Sequence, residues 1–270
     1  MTDIHKLMPD AAALVRQAGQ FILGELKGFD ESSVETKSVN QLVSYVDKTA
    51  EEILVKGLGK LLPDAGFITE EDTIGRETKQ YTWIIDPLDG TTNFIHKVPV
   101  FSVSVGLNNG DETVAGLVFD ISNDELFHGS KGRGAFRNTE PITVSVVDSL
   151  DKSLLATGFP YYDFEQMQQY LDVLRKLLKQ THGLRRMGSA AIDLAYTACG
   201  RFDGFFEYSL NPWDVAAGAF LVKESGGCVA DFKGGKDYLF GKTIIAANPT
   251  IMEEFSNVIT QGFAGQATNQ

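Results

Sequence analysis

From Gly66 to Asn138 the chain is a train of short β-branched and aromatic runs, and this train restricts the fold more than any other feature. The runs are GFIT (66–69), TWIID (82–86), VFSVSVGLN (100–108), TVAGLVFD (113–120), ELFHGS (125–130) and GAFRN (134–138). Such residues suit a pleated, half-buried surface, and turn-forming stretches at NNGDE, ISND and KGRG separate them. Runs joined so tightly pair with their neighbours, which predicts an antiparallel meander. Two amphipathic helices precede it. Leu14, Val15, Ala18, Phe21, Ile22 and Leu26 recur at helical spacing between a cap at Asp10 and a stop at Gly28. Val46, Ala50, Ile53, Leu54, Leu58 and Leu61 mark a second helix from about Ser44 to Leu62, ended by Pro63. Both are expected on one face of the sheet.

Beyond about Leu150 the pattern changes to alternating strands and helices. SLLATG (153–158), FDGFFE (202–207), CVADF (228–232) and TIIAA (243–247) read as strands. Residues 164–180, 189–199, 212–225 and a segment from Pro249 read as helices. The class is therefore α+β, with an antiparallel N-terminal sheet and a second, smaller α/β lobe. No linker-like composition divides the halves and no repeat is present. One domain over residues 1–270 is expected, with lobes of about 1–148 and 149–263 and a cleft between two sheets. The end, GFAGQATNQ from Gly262, is small and polar, so a frayed tail is expected over 264–270.

Composition limits the partners. Lys and Arg number 24 against 36 Asp and Glu, a net charge of −12, which repels nucleic acid and anionic membrane surfaces. Asp3, His5, Lys6 and Asp10 interrupt any apolar leader, and no window approaches the ~20 apolar residues of a membrane span. Cys199 and Cys228 sit in apolar stretches without a CxxC pattern. These features predict a cytoplasmic protein with reduced cysteines. A chain this acidic that handles a phosphate has to reverse its field locally with bound cations.

The most informative string is W-I-I-D-P-L-D-G-T-T-N-F, residues 83–94. An apolar strand delivers Asp86 at its end, Pro87 turns the chain, and Asp89 follows closely enough for both carboxylates to face one opening. Gly90 permits close backbone approach, and Thr91-Thr92-Asn93 starts a short helix whose free N–H groups suit a phosphate. The plainer reading, a pair of Asp turns capping a helix, fits D-P-x-D-G but not the whole string. Glu70-Glu71-Asp72 follows the strand GFIT as Asp86 follows its own, so neighbouring strands ending together bring Glu70 beside Asp86. Asn211-Pro212-Trp213-Asp214 reads as a cap, a first-turn proline and a first-turn acid whose ionised form the helix dipole favours.

If Glu70, Asp86, Asp89 and Asp214 converge, two of their charges ~4 Å apart repel by roughly 4 kcal/mol at an effective dielectric near 20. A shared proton, as in a glycosidase or aspartic protease pair, is one answer. A hard cation with oxygen ligands is the other, and Mg²⁺ suits such a donor set. Histidine and cysteine sets for zinc are absent. His96, His128 and His182 are scattered, G-S-K-G-R-G (129–134) joins two strands as a hairpin turn, and Arg185-Arg186 reads either as a second phosphate site or as a solvated pair.

These motifs resemble the inositol monophosphatase family, within the Mg²⁺-dependent, lithium-sensitive phosphatases. F-I-T-E-E, W-I-I-D-P-L-D-G-T-T-N-F, K-G-R-G-A-F, T-G-F-P, M-G-S-A-A-I-D-L-A-Y, G-R-F-D-G-F-F-E and N-P-W-D-V-A-A-G follow in family order over roughly residues 10 to 260. Thr69 stands where many members have Gly, and the stretch before Asp47 is less acidic than in many relatives. The resemblance implies a layered αβαβα sugar-phosphatase fold and a homodimer. It implies that Glu70, Asp86, the Leu88 carbonyl, Asp89 and Asp214 ligate about two to three Mg²⁺ ions per site. Thr91 and Asp47 would orient the attacking water, with Glu70 counted in the same catalytic group. The Gly90 and Thr91 amides would hold the phosphate. Asp89, Ser189, Ala190, Glu207 and Asp214 would line the pocket for the alcohol.

The reaction expected is hydrolysis of myo-inositol monophosphate, a small phosphorylated polyol, by direct attack of water. D-G-T-T-N-F favours this over the D-G-S-S-N type of fructose bisphosphatases, and Glu207 suits either polyol hydroxyls or the ammonium of histidinol phosphate. D-P-L-D-G-T differs by one residue in spacing from the D-x-D-G-T motif of phosphatases that form an aspartyl phosphate. A non-catalytic protein-binding scaffold is the alternative of a different class.

Overall fold

In the computed structural model, which describes residues 3–28, 35–38, 41–160 and 164–264, the chain opens with α1 (Ile4–Leu26). This helix buries Met8, Ala11, Val15, Ala18 and Ile22 as one stripe. It begins ahead of the expected cap at Asp10 because the stripe extends back through Met8. Pro9 lies inside the helix and removes one bond, that to the His5 carbonyl. A short antiparallel pair not foreseen from the sequence follows, β1 (Glu35–Ser38) and β2 (Gln41–Val43). Ser44 then caps α2 (Tyr45–Leu61): its side chain accepts from the Val46 N–H, while the Asp47 carboxylate accepts from the Ser44 N–H.

The train of strands forms a seven-stranded sheet in chain order. Its members are β3 (Gly66–Thr69), β4 (Tyr81–Asp89), β5 (Ser102–Asn109), β6 (Glu112–Asp120), β7 (Glu125–Ser130), β8 (Ala135–Arg137) and β9 (Glu140–Ile142). From β4 onward every pair is antiparallel, as the meander requires. The first pair departs from that expectation: β3 and β4 are parallel, with Gly66 opposite Thr82 and Thr69 opposite Ile85. The connection 70–80 carries the chain back along the outer edge of β3, where Phe67 and Glu77 exchange backbone hydrogen bonds, so the two strands end side by side. The Glu70 N–H accordingly bonds to the Ile85 carbonyl at 3.2 Å.

The C-terminal half supplies β10 (Leu154–Thr157), α4 (Met167–Gln180), β11 (Gly183–Arg185), α5 (Ala190–Ala198), β12 (Gly204–Tyr208), α6 (Pro212–Glu224), β13 (Cys228–Ala230), β14 (Thr243–Ala247) and α7 (Met252–Ala264). Its sheet runs β11-β10-β12-β14-β13 and is mixed: β10 pairs in parallel with β11 and β12, and β14 pairs antiparallel with β12 and β13. Helix α7 runs through Gly262, where a polar end was expected, because the Phe263 ring packs 4.6 Å from that of Phe232. Residues 265–270, most of the expected tail, lie outside the described residues.

The layers are α1/α2, the large sheet, α5/α6, the small sheet, and α4/α7. This is the αβαβα architecture. Helix α6 lies so close to the large sheet that a Cβ on Gly116 would sit 2.7 Å from the Ala217 carbonyl oxygen. Because α5 and α6 belong to the cores of both sheets, their N-termini open toward the end of β4.

Candidate active site

The string around Asp86 folds as a bulge rather than the expected turn. β4 keeps its pairing with β5, but Asp86 lies opposite Ser104 and Asp89 opposite Ser102, so one extra residue is accommodated. A bulge re-aims side chains locally, and Pro87 is tolerated there because it has no N–H to give the ladder. The Leu88 N–H turns back to the Asp86 carboxylate at 3.0 Å. Gly90, at φ +92°, reverses the chain into α3 (Thr91–Ile95), and a Cβ there would lie 2.9 Å from the Val100 carbonyl oxygen.

Glu70, Asp86, Leu88, Asp89, Gly90, Thr91, Ser189, Ala190, Glu207 and Asp214 line one cavity of about 120 Å³. The sequence placed all ten in one site, and the fold collects them from four separate stretches. Asp47 stands behind this wall. Its Oδ1 lies 2.9 Å from Thr91 Oγ1, which also lies 3.0 Å from the Leu88 carbonyl, so the single Thr91 proton has two acceptors. Asp89 joins the lobes: its Oδ2 accepts from Ser189 Oγ at 2.6 Å and from the Ala191 N–H at 2.7 Å. Asp214 closes a capping box at α6, accepting from the Asn211 N–H at 2.6 Å.

Acids so crowded resist ionisation. Burial, followed by the charges of Glu70, Asp89 and Asp214, pushes Asp86 well above the usual carboxylate range, and the Glu70 side chain bonds to it. Two carboxyl groups share a hydrogen bond only if one carries a proton. Burial likewise raises Asp214, with the charges of Asp89 and Glu207 adding to it. The helix dipole expected to keep Asp214 ionised is outweighed by this desolvation. Asp89 is raised by burial against the pull of Ser189, Ala191 and Ala190, and Asp47 by burial against its bonds from Ser44 and Thr91. Burial lifts Glu207 to about 8, with Arg186 opposing.

Two acids escaped the sequence reading. Glu51, one helical turn beyond Asp47, is fully buried. It accepts from the Glu71 N–H, the Thr73 N–H and Thr73 Oγ1 at 2.7–2.8 Å, which fixes the loop that carries Glu70. Asp193 is a buried carboxyl on α5, flanked by buried Ile192 and Leu194, and also lines the cavity. The available signals were an acid four residues after Asp47 and an acid within S-A-A-I-D-L-A-Y. Arg186 turns out to line the cavity, stacked 5.3 Å over the Phe159 ring, whereas Arg185 points to solvent. In the hairpin at 131–134, Gly132 and Gly134 give their N–H groups to Glu224, which is its structural role. Cys199 and Cys228 are both free.

A model of the inositol monophosphatase family matches residues 3–262. The chain belongs to the inositol monophosphatase family. "Nus factor SuhB" of Escherichia coli K12 is 40% identical over 251 residues, which span 93% of this chain and 94% of that protein. The crystal structure of "extragenic suppressor protein suhB" from Bartonella henselae superposes with a TM-score of 0.88 at 39% identity, covering 95% of this chain and 99% of that one. The inositol monophosphatase of Anabaena (Nostoc) sp. superposes at 0.84 with 35% identity, covering 96% and 97%. The family is one of metal-dependent phosphatases, and no helix among the described residues is long and apolar enough to cross a membrane.

The donors suit a hard divalent cation in kind: Glu70, Asp86, Asp89 and Asp214 offer only oxygen, and Asp86 is 2% exposed. Among the described residues, no three His, Cys, Asp or Glu side chains are yet set around one point at which they could hold an ion. Glu70 and Asp86 bond to each other, and Asp89 and Asp214 each turn one oxygen to a backbone N–H. Ion binding therefore requires loss of the shared proton and a turn of side chains, not a new backbone path.

Proposed function

We propose that this chain hydrolyses myo-inositol monophosphate to inositol and phosphate with Mg²⁺ as cofactor. The observation that supports it is the meeting of Glu70, Asp86, Asp89 and Asp214 in one buried cavity, where burial and the charges of Glu70, Asp89 and Asp214 raise the proton affinity of Asp86, and burial and Asp89 raise that of Asp214. Bound Mg²⁺ would supply charge to neutralise phosphate oxygens, acidify water and stabilise the leaving alkoxide. Glu70, Asp86, the Leu88 carbonyl, Asp89 and Asp214 would hold about two to three such ions.

The chain's own groups do the rest. The Gly90 and Thr91 amides hold the phosphate at the start of α3. Thr91 donates its O–H hydrogen bond to Asp47, which leaves its oxygen lone pairs to accept from and aim the attacking water. That water forms the new P–O bond as the ester P–O bond breaks on the opposite side. Its proton passes to Glu70, and the alcohol oxygen takes one from solvent. No phosphoenzyme is formed. Ser189, Ala190, Glu207, Asp89 and Asp214 receive the inositol hydroxyls. Lithium sensitivity, a homodimer and a cytoplasmic location belong to the same reading.

The direct test is phosphate release with Mg²⁺ from inositol 1-phosphate, histidinol phosphate and fructose 1,6-bisphosphate. Preference for the first supports the proposal; preference for either of the others transfers the same site to that substrate. Trapping phosphate on Asp86 would replace direct attack with a covalent route. Relatives named Nus factor SuhB favour a second reading, in which the fold serves as a protein-binding module. Asp86→Asn separates the two, since it abolishes catalysis and leaves a scaffold role intact.

A further inference from the structure

The acids of the cavity fall into two groups. Asp86 is influenced by Glu70, Asp89 and Asp214. Asp193 is influenced instead by Glu207, Asp89 and Arg186. Asp89, and Asp214 through the charge of Glu207, thus stand between a pole near the phosphate-binding turn and a second pole built from α5, β12 and Arg186. Within the second pole, Asp193 and Arg186 have no task in the reaction as described.

Asp193 is costly to keep where it is. It is 1% exposed, on a helix whose neighbours Ala191, Ile192, Leu194 and Ala195 are all core residues. Among the described residues its Oδ1 has no hydrogen-bond partner. A buried carboxyl oxygen without a partner is rare unless a ligand supplies one. The surroundings are built for an occupant. Gly158 lets the wall close on Glu207, since a Cβ there would fall 2.0 Å from its carboxylate. Ser209, next along from that strand, is held at φ +68°, a conformation costly for a non-glycine residue and typical of ligand sites.

We propose that Asp193 is a specificity-determining residue which, together with Glu207, receives two hydroxyl groups of the leaving alcohol. The inference rests on the phosphatase reading above and extends it to the substrate class. The Asp193 and Glu207 carboxyl groups present acceptor oxygens whether or not they carry a proton and a guanidinium only donates, so a ligand between Asp193, Glu207 and Arg186 has to do both. Hydroxyl groups do so. An ammonium donates alone and cannot accept from Arg186, so hydroxyl groups match this end of the cavity better than the ammonium of an amino alcohol such as histidinol.

The experiment compares Asp193→Leu and Asp193→Asn with the unaltered protein, in Mg²⁺, on inositol 1-phosphate and on p-nitrophenyl phosphate, whose leaving group has no second hydroxyl. Leu removes both acceptor oxygens in a similar volume, and KM for inositol 1-phosphate is expected to rise about 10-fold to 100-fold. kcat/KM for p-nitrophenyl phosphate stays within about 2-fold, and Asn, which keeps one acceptor, restores most of the loss. If Asp193→Leu does not fold, as its melting curve will tell, Asp193→Ala reads the same quantities. An unchanged KM for inositol 1-phosphate in a folded variant overturns the proposal. An equal loss on both substrates overturns it too, by assigning Asp193 to structure or chemistry rather than to the alcohol. If the unaltered protein releases phosphate from neither, the phosphatase reading itself falls, and this proposal with it.

Discussion

Asp231 and Asp86 are two carboxylates of one protein held in opposite ways. Both are largely buried. Burial pushes Asp231 up, but the backbone N–H groups of Gly235, Lys233 and Asp237 more than offset it and hold it below the usual range. Asp86 has one backbone donor, from Leu88, and otherwise faces Glu70, Asp89 and Asp214. An acid that the chain's own donors satisfy is a fastening for a loop. Acids left mainly to one another form a site that is incomplete until something positive arrives.

Substitutions at the two positions should therefore have opposite signatures. Asp86→Asn is expected to lower phosphate release from inositol 1-phosphate by about 1,000-fold or more, while the melting temperature without Mg²⁺ stays level or rises because a buried acid crowded by Glu70, Asp89 and Asp214 gives way to a neutral amide. Loss of activity together with a fall in melting temperature would mean that Asp86 is a fastening after all. Thr91→Val, which removes the hydroxyl proposed to aim the water, should lower kcat by about 100-fold with little change in KM. A change confined to KM would move Thr91 from chemistry to binding.

Glu51→Gln exchanges one of the oxygens that fix the Glu70 loop for an amide. The expected outcome is a several-fold higher Mg²⁺ requirement for half-maximal rate, with kcat at saturating Mg²⁺ within about 3-fold of the unaltered protein. An unchanged Mg²⁺ requirement would show that the loop holds its place without Glu51. The smallest effect is expected at Asp231→Asn: a loss of about 1 kcal/mol in urea unfolding, with activity unchanged. An activity loss there would erase the contrast between the two carboxylates.

Much of this site was legible because its chemistry is written in contiguous strings. W-I-I-D-P-L-D-G-T-T-N-F carries Asp86, Asp89, Gly90 and Thr91 within one strand end and one helix start, and N-P-W-D carries its own cap. Strand existence was equally plain, because β-branched runs of the right length have few other uses. What stayed hidden depends on packing. The parallel pairing of β3 with β4 is decided by the route of residues 70–80, and the bulge at Pro87 shows only once Ser102 and Ser104 lie opposite. Glu51 and Asp193 are isolated acids on helices, where a solvated face is the commoner explanation, and burial alone distinguishes them. The short strands β1, β9 and β11 lack any periodic signal of their own.

The acids of the cavity are expected to keep their protons until a divalent cation takes their place. Glu207 is expected to hold its proton up to about pH 8 in the folded chain, against an ordinary 4.5. Asp86 and Asp214 are displaced in the same direction. In that window the folded chain binds more protons than the unfolded one, so stability falls as pH rises. Melting temperature measured from pH 5 to pH 8, with and without Mg²⁺, tests this directly. Melting temperature is expected to decline with pH in the absence of the ion, and its rise on adding Mg²⁺ to grow toward pH 8. A melting temperature that is flat with pH and indifferent to Mg²⁺ would contradict it.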